Sequence, residues 1–471
     1  MRKNRLNFQP EIVLKLSGML IIAYAIFLYI IAPHFTYTAN PSLHNTIQYV
    51  IVRMFIGTVY VVSVVLFIKK NILNSKNLLY VIVIGIIARL ILIPTVPILE
   101  DDFNRYLWDG AVTAEGFNPY KYVPKDFFEE KSSTPNTPEQ LYKLGKESGE
   151  ILKLVNHPQI RTIYPPVAQG VFTLVYFIKP WSVPVWKAII FLLDLIVLFL
   201  LFNLLKKLNL SKSLIIIYWW NPVLLHEFYS AGHMDIIMYP LILAAIIFYL
   251  NKKYVLSSGM FALSFGVKVW PIVFIPFVLK KILKNKKKLF LALFSSGVIV
   301  ILLSLPVILT KLDDSLGFVT YSKNWTNNEA FFQLVNQAIK GFLKLFNIHY
   351  YCSLCVARWL TLGGYSIFII YLLNRKIDNN KHFIYSLFLA VSVLYLISPT
   401  QFPWYYTWVL PILVLNPRMS FIIYAILLPL YQLKYYYPYL IWVEHIPVIV
   451  FFVLELYSKK IANFLEVKKL A

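Results

Sequence analysis

The sequence predicts an all-α, polytopic integral membrane protein of about twelve transmembrane helices, with re-entrant or interfacial segments on the outer face. The chain of 471 residues is 59% hydrophobic and 17% aromatic, and its mean hydropathy is +0.66. Repeated apolar runs of roughly 20 residues match a bilayer core about 30 Å thick. A soluble domain of this length would not hide so much apolar surface.

The net charge of +23 is a topology signal and predicts no nucleic-acid partner. The basic residues lie in short loops, which read "MRKNR", "KKNILNSK", "KKLNLSK", "NKK", "KKILKNKKK", "NRKIDNNK" and "SKK". The positive-inside rule places these loops and both termini in the cytoplasm, beside anionic membrane lipids. Segment 99–163 carries eight Lys and Arg against eleven Asp and Glu, so we expect this segment on the outer side of the membrane. The predicted location is the cell membrane, crossed many times.

The apolar runs place the first helices near 12–32, 50–68 and 78–98. The outer acidic loop 99–163 follows, and its stretch "LYKLGKESGEILKLV" has the spacing of an amphipathic helix on the membrane surface. We interpret "TIYPPVAQGVFTLVYFIKPWS" as re-entrant or interfacial. If this stretch crossed the membrane fully, the next helix, 185–204, would place the basic loop "KKLNLSK" on the outer side. That placement would violate the positive-inside rule.

The remaining runs predict helices near 213–230, 235–250, 288–309, 351–373, 382–399, 403–417, 419–433 and 439–457. Segment 254–279 is broken by Lys268 and Pro271 between basic flanks, which indicates a hairpin that starts and ends inside. Residues 1–471 therefore form a single membrane domain. With this topology the polar clusters of the chain converge at the outer interface and predict one outward-facing site.

The first cluster is the acidic stretch "EDDFNRYLWDG", residues 100–110. In a structural interpretation, Asp102 caps a helix, and Arg105 pairs with Asp101, Asp102 or Asp109 at helical spacing. In a functional interpretation, the neighbouring carboxylates raise one another's pKa beside the lipid, which suits a general base. Both interpretations stay open at this point.

Lys268, at the break of its segment, can hold a phosphate as a point charge. The alternatives are snorkelling or an ion pair with a carboxylate such as Asp235. The stretch "WWNPVLLHEFYSAGHMD" contributes Glu227, His233 and Asp235. Its spacing matches no metalloprotease helix, so hydrogen bonds to sugar hydroxyls or phosphate are favoured over metal ligation.

Two further clusters complete the set. "SPTQFPWYYTWVLP" contains Gln401, Trp404 and Tyr405, which form either an interfacial aromatic belt or a platform for a sugar ring. "HPQIRTIYPP" adds Tyr164, which can help to close over an anionic headgroup. Each cluster alone has low specificity.

In this order the clusters resemble the membrane-embedded C-type (GT-C) glycosyltransferases, in particular the bacterial mannosyltransferase-like branch that depends on polyprenol-phosphate sugars. The segments that carry the resemblance are "EDDFNRYLWDG…GFNPYKY", "HPQIRTIYPPVAQ", "WNPVLLHEFYSAGHMD", "GVKVWP" and "SPTQFPWYYTWVLP". The resemblance implies a helical membrane core with an acidic first large outer loop. It also implies a carboxylate base, a role that falls on Asp102 first and on Asp101 second.

The function that follows is inverting transfer of a monosaccharide, mannose by the resemblance, from a polyprenyl-phosphate donor to a lipid or glycan acceptor of the envelope. We expect Lys268, Arg105 and His233 to stabilise the leaving phosphate. No metal is required for a phosphate monoester leaving group, although a divalent cation is possible. The alternatives are a lipid-linked sugar transporter or flippase, whose polar residues would be spread through the membrane depth, and another envelope transferase.

Overall fold

Helices account for almost all regular structure in the computed structural model, which describes residues 10–70, 74–128, 138–348, 352–458 and 461. Within these ranges there is no β-strand, and the β-type contacts are two isolated bridges, Arg161–Leu316 and Asn327–Thr400. The predicted all-α, polytopic membrane class is confirmed. Both chain ends, and most of the loop "KSSTPNTPEQ", lie outside the described residues.

The α-helices of the first half of the chain are α1 (Pro10–Ile31), α2 (Leu43–Lys70), α3 (Ser75–Leu92), α4 (Asp102–Ala114), α5 (Glu139–Glu147), α6 (Glu150–Lys153), α7 (Pro166–Ile178), α8 (Val183–Lys207), α9 (Ile216–Trp219), α10 (Pro222–Leu224) and α11 (Met238–Leu250). Those of the second half are α12 (Tyr254–Phe265), α13 (Ile275–Lys280), α14 (Lys286–Ile308), α15 (Gly317–Asn324), α16 (Phe331–Leu345), α17 (Ser353–Asn374), α18 (Asn380–Ile397), α19 (Pro403–Tyr406), α20 (Leu410–Leu413), α21 (Met419–Leu427) and α22 (Leu440–Tyr457). Short 3₁₀ helices and one π-helix, Leu225–Ala231, connect some of them.

Eight helices of the described chain, α1, α2, α3, α8, α14, α17, α18 and α22, are long and apolar enough to cross a membrane. A bent pair, Pro222–Ala231 with Met234–Leu250, makes up to nine. The prediction of about twelve spans also included shorter segments. Segment 403–417 contains only the two four-residue helices α19 and α20, and 254–279 is divided between α12, a 3₁₀ helix and α13.

A buried ion pair joins α3 and α8 in the core of the bundle. Arg89 Nε donates to Asp194 Oδ2 at 2.6 Å, and neither side chain is exposed. The hydroxyls of Tyr218 and Tyr229 donate to the same carboxylate at 2.7 and 2.8 Å. Burying a charge without a partner costs several kcal/mol, so this network fixes segment 216–231 against both helices.

Segment 225–235 bends sharply next to that network. Its π-helix ends at Gly232, whose φ of 88° lies in the left-handed region that favours glycine. Trp186 Nε1 donates to the Gly232 carbonyl at 2.7 Å. The helix axis bends by 105° between Pro222–Ala231 and Met234–Leu250. The turn brings Glu227 and Asp235 to the wall of one cavity.

The acidic loop packs on itself and on α7. Leu141, Leu144, Leu152 and Val155, the apolar face of the stretch predicted to lie on the membrane surface, are buried in a cluster that includes Trp108. The stretch is amphipathic, as predicted, but protein covers the apolar face that was expected to lie on the membrane surface. The stretch forms the short helices α5 and α6, and protein covers its apolar side because α4 offers a complementary aromatic face.

Gly110 sets the approach of α4 to α7. A Cβ atom at this position would lie 2.5 Å from the carbonyl carbon and oxygen of Phe172, and backbone atoms of a helix cannot move aside. We expect Gly110→Ala to lower the free energy of unfolding by about 1–3 kcal/mol. Thermal unfolding of the purified protein in detergent measures the change.

Gly170→Ala is the matched control, because nothing lies within 4 Å of a Cβ at that position in α7. Alanine there favours the helix, so the apparent Tm should stay equal or rise. Equal Tm values for the two variants would contradict the close packing of α4 on α7.

Candidate active site

A cavity of about 1130 Å³ gathers the polar clusters predicted from the sequence. The predicted site residues on its wall are Asp101, Asp102, Arg105, Tyr164, Glu227, Asp235, Lys268, Trp404 and Tyr405. They come from segments up to 300 residues apart in the chain, so the predicted convergence on one site is found. His233 and Gln401 lie outside the wall.

Glu100, and neither aspartate, caps α4. Its Oε1 accepts from the backbone N–H groups of Asp101 and Asp102, at 3.1 and 3.0 Å. Asp101 precedes the helix but makes no side-chain cap, and Asp102 is the first helical residue. The predicted capping role of Asp102 is therefore wrong, and both aspartate carboxylates are left for other contacts.

Asn156 bridges these two carboxylates. Its Nδ2 donates to Asp101 Oδ1 at 3.0 Å and to Asp102 Oδ1 at 2.6 Å. Burial, followed by the charges of Glu100 and Asp102, raises the pKa of Asp101 to about 8. Burial and the Glu100 charge also raise the pKa of Asp102, while His233, Asn156 and Lys268 act in the opposite direction. The predicted rise in pKa among these neighbouring carboxylates is found.

Arg105 fastens the segment that carries Asn156. Its Nη2 donates to the carbonyls of Asn156, His157 and Ile160 at 2.9–3.1 Å. The predicted ion pair with Asp109 forms at 4.0 Å. The alternative pairs of Arg105 with Asp101 and Asp102 do not form, because Nη2 is turned toward the 156–160 loop.

Lys268 lies opposite, paired with Asp235. The Nζ to Oδ1 distance is 2.7 Å, and Trp408 Nε1 donates to the same oxygen at 2.5 Å. The ammonium also lies 4.1 Å from the ring centre of Tyr405. The predicted alternative of a pair with Asp235 is therefore found. The side chain remains 16% exposed, on the cavity wall.

His233 stands behind the acidic stretch. Its Nε2 lies 3.2 Å from Glu100 Oε2 and 3.6 Å from Glu227 Oε2, and its ring stacks on Trp404 with the ring centres 3.9 Å apart. Glu227 is also paired with Arg53 at 3.1 Å. The histidine therefore lies behind three residues of the cavity wall, Glu100, Glu227 and Trp404.

One group of described side chains has the geometry to hold a cation. Ligand atoms of Glu100, Asp102 and His233 lie within 4.8 Å of one another. Carboxylates and imidazole are ligands for several divalent metals. The fit is partial, because Glu100 Oε1 already serves the α4 backbone.

Gln401 is fully buried and bonds to backbone. Its Oε1 accepts from Ala330 N at 2.8 Å and its Nε2 donates to the Leu396 carbonyl at 3.2 Å. The sugar contact predicted for this residue is not offered by the structure, since the amide joins two loops behind the cavity.

Sequence reasoning missed Asn156 and three stretches of wall, which lie within 37–46, 317–327 and 431–436. Asn156 directly precedes the "HPQIR" motif, so its polar side chain could have been assigned to that cluster. The three stretches carry Tyr or Trp residues, a pattern that an interfacial aromatic belt also produces.

The raised pKa of Asp101 has a consequence for stability. The folded state holds the proton more tightly than an ordinary carboxyl of pKa 3.8. The contribution of Asp101 to stability is therefore fully present below pH 3.8 and is lost as the pH rises to about 8. We expect Asp101→Asn to raise the apparent Tm by a few degrees at pH 9 and by less at pH 6, as measured by thermal unfolding across pH.

Asp313→Asn is the control of opposite sign. Hydrogen bonds from Ser315 lower the pKa of Asp313 to about 2, so its charged form is the stable one and the variant should lose stability at both pH values. A change in Tm for Asp101→Asn that is the same at pH 6 and pH 9 would contradict the raised pKa.

Comparison with known proteins bears on this site. Residues 162–399, half of the chain, match the family model described as glycosyltransferase family 87. The match covers the Asp235, Lys268 and Glu227 side of the cavity, and the acidic stretch precedes it. No curated protein and no solved structure matches the chain. The family is of the C-type membrane glycosyltransferases, which confirms the resemblance, and the chain belongs to glycosyltransferase family 87.

Proposed function

We propose that this glycosyltransferase moves mannose from a polyprenyl-phosphate donor to an envelope acceptor at the outer face of the cytoplasmic membrane, with inversion at the anomeric carbon. One observation carries the proposal: a single cavity is lined both by the carboxylates of Asp101 and Asp102 and by the Lys268 ammonium. Family membership supports sugar transfer. The choice of mannose and of a lipid-linked donor rests on the resemblance of the motifs.

Asp102 is the proposed general base. It lies in the first turn of α4, where Asn156 holds Oδ1 at 2.6 Å. The charge of Lys268 acts to lower the pKa of Asp102, and both side chains line the cavity. Asp101, bonded to the same amide, is the proposed second candidate.

In the transfer step the acceptor oxygen bonds to the anomeric carbon while its proton passes to Asp102. The bond from that carbon to the phosphate oxygen breaks, and its electron pair leaves with the polyprenyl phosphate. Lys268 supplies positive charge there, because an ammonium has three N–H donors and Asp235 takes one. Arg105 Nη1, which is buried without a hydrogen-bond partner, is the second proposed donor to this charge.

Asp235 and Trp408 position the ammonium rather than take part in the step. Trp408 donates to the same oxygen that receives Lys268, so the carboxylate is held from two sides. The Tyr405 and Trp408 rings lie 4.1 and 5.0 Å from Nζ and stabilise the cation. Lys268 is thereby presented to the cavity in one orientation.

Asp102→Asn tests the base. We expect transfer from radiolabelled mannosyl-polyprenyl phosphate to crude envelope acceptor to fall by roughly 10²–10⁴-fold, the usual contribution of a general base. Asn keeps an oxygen for the Asn156 contact, so the Tm and donor binding should be nearly unchanged.

Asp314→Asn, at an exposed position paired with Lys323, is the matched control and should transfer like the wild type. Activity that survives in Asp102→Asn but is lost in Asp101→Asn would move the base to Asp101. No labelled product from the wild type would overturn the proposed reaction.

We propose that the reaction needs no metal ion, since the leaving group carries a single phosphate. Dialysis against a chelator should leave the transfer rate within about twofold of the untreated rate, a change below 0.5 kcal/mol in the barrier. A large loss that Mn²⁺ or Mg²⁺ restores would contradict this. Such a loss would assign a cation to Glu100, Asp102 and His233.

A further inference from the structure

Exposed tyrosines border the cavity beside its acidic stretch. Tyr37, Tyr435 and Tyr436, which we call the tyrosine rim, all lie on the cavity wall. They are 59%, 67% and 46% exposed, far more than the other aromatic side chains that line the interior. Tyr37 comes from the loop after α1, and the other two precede α22.

The rim is held in place by polar contacts beneath it. The Lys434 ammonium lies 4.1 Å from the ring centre of Tyr431 and 4.9 Å from that of Tyr435, and it bonds to the side chain of Asn327. The hydroxyls of Tyr431 and Tyr435 are 3.4 Å apart. Tyr435 is therefore supported on its inner side while two thirds of its surface stays exposed.

The rim also lies next to the proposed base. The pKa of the Tyr37 hydroxyl is raised, and the largest cause is the charge of Asp101, followed by burial and the charges of Glu100 and Tyr435. Tyr37 and the acidic residues Glu100, Asp101 and Asp102 line the same cavity. A molecule that rests on the rim therefore borders the cavity that holds the carboxylates.

Lys434, the cation beneath the rim, is buried and bonded to Asn327. The cavity wall also carries neutral polar side chains. They are amides and hydroxyls, Asn40, Thr320, Ser322 and Gln432. The cations on the described wall are Arg105, Arg161 and Lys268. Arg161 binds the carbonyls of Tyr120 and Lys311 and the carboxylate of Asp313, and the other two are engaged as described above. The rim therefore offers no free positive charge to an anionic group.

We propose that the tyrosine rim is the acceptor subsite and that the acceptor is a neutral carbohydrate chain. This inference rests on the proposed function and names its acceptor class. Tyrosine ring faces bind the C–H faces of sugar rings through apolar contact, while neutral amides and hydroxyls bond to sugar hydroxyls. The nearby carboxylates repel an acidic acceptor such as an anionic lipid headgroup.

Binding to an array of neutral and acidic oligosaccharides tests the acceptor class, with the full chain in phosphatidylcholine nanodiscs. We expect the wild type to retain neutral oligosaccharides. Tyr435→Ala should bind them about tenfold more weakly, as loss of one stacking contact of up to 1.4 kcal/mol predicts. In the transfer assay this variant should raise the KM for the acceptor and leave kcat unchanged.

Tyr439→Ala is the matched control, because Tyr439 is 61% exposed in the same loop but does not line the cavity. It should bind like the wild type. Equal losses in the two variants would assign these tyrosines to a membrane-interface belt and overturn the proposal. Retention of acidic oligosaccharides alone, or of none, would also overturn it.

The two proposals fail in different ways. If labelled mannose is transferred to an anionic lipid and Asp102→Asn abolishes this, the proposed function stands and the neutral-carbohydrate acceptor is wrong. If neutral oligosaccharides bind through Tyr435 but no donor yields product, the rim is a carbohydrate site and the proposed transfer is wrong.

Discussion

Every charge inside this apolar bundle needs a partner, and that constraint shapes both the fold and the site. Arg89 with Asp194, Arg53 with Glu227, and Lys268 with Asp235 each join segments distant in the chain. Leaving one member unpaired in a low-dielectric interior would cost several kcal/mol. The pairs therefore act as fixed points around which the helices, and the broken segments between them, are arranged.

Neighbouring side chains of the acidic stretch make different contacts and so have different roles. Glu100 uses one oxygen for the α4 backbone and turns the other toward His233. Arg105 pairs with Asp109, as the sequence predicted, and also donates to backbone carbonyls of the loop that carries Asn156. Because Glu100 caps α4, the carboxylates of Asp101 and Asp102 are left for contacts other than helix capping.

The sequence predicted what hydrophobic length and charge distribution determine: the membrane class, the break near Lys268, and the meeting of polar clusters at one site. It did not predict contacts that depend on how a loop folds back. Asn156 lies more than 50 residues along the chain from the carboxylates it bridges, and no local sequence pattern predicts a contact over that separation. The sugar contact predicted for Gln401 was wrong because its position in a polar motif does not distinguish two roles. An amide there can bind a ligand, or it can join two loops by bonding to backbone, as Gln401 does.

Under the proposed function, the clustered carboxylates also bear on which sugar donors reach the site. The carboxylates of Glu100 and Asp102 place negative charge on the wall of the cavity. Nucleotide sugars and free sugar phosphates, which arrive as anions from water, are repelled by it. A donor dissolved in the bilayer is instead delivered by lateral diffusion, with the high effective concentration of a tethered ligand. Selection against soluble donors would thus begin with the route of approach, before any sugar is recognised.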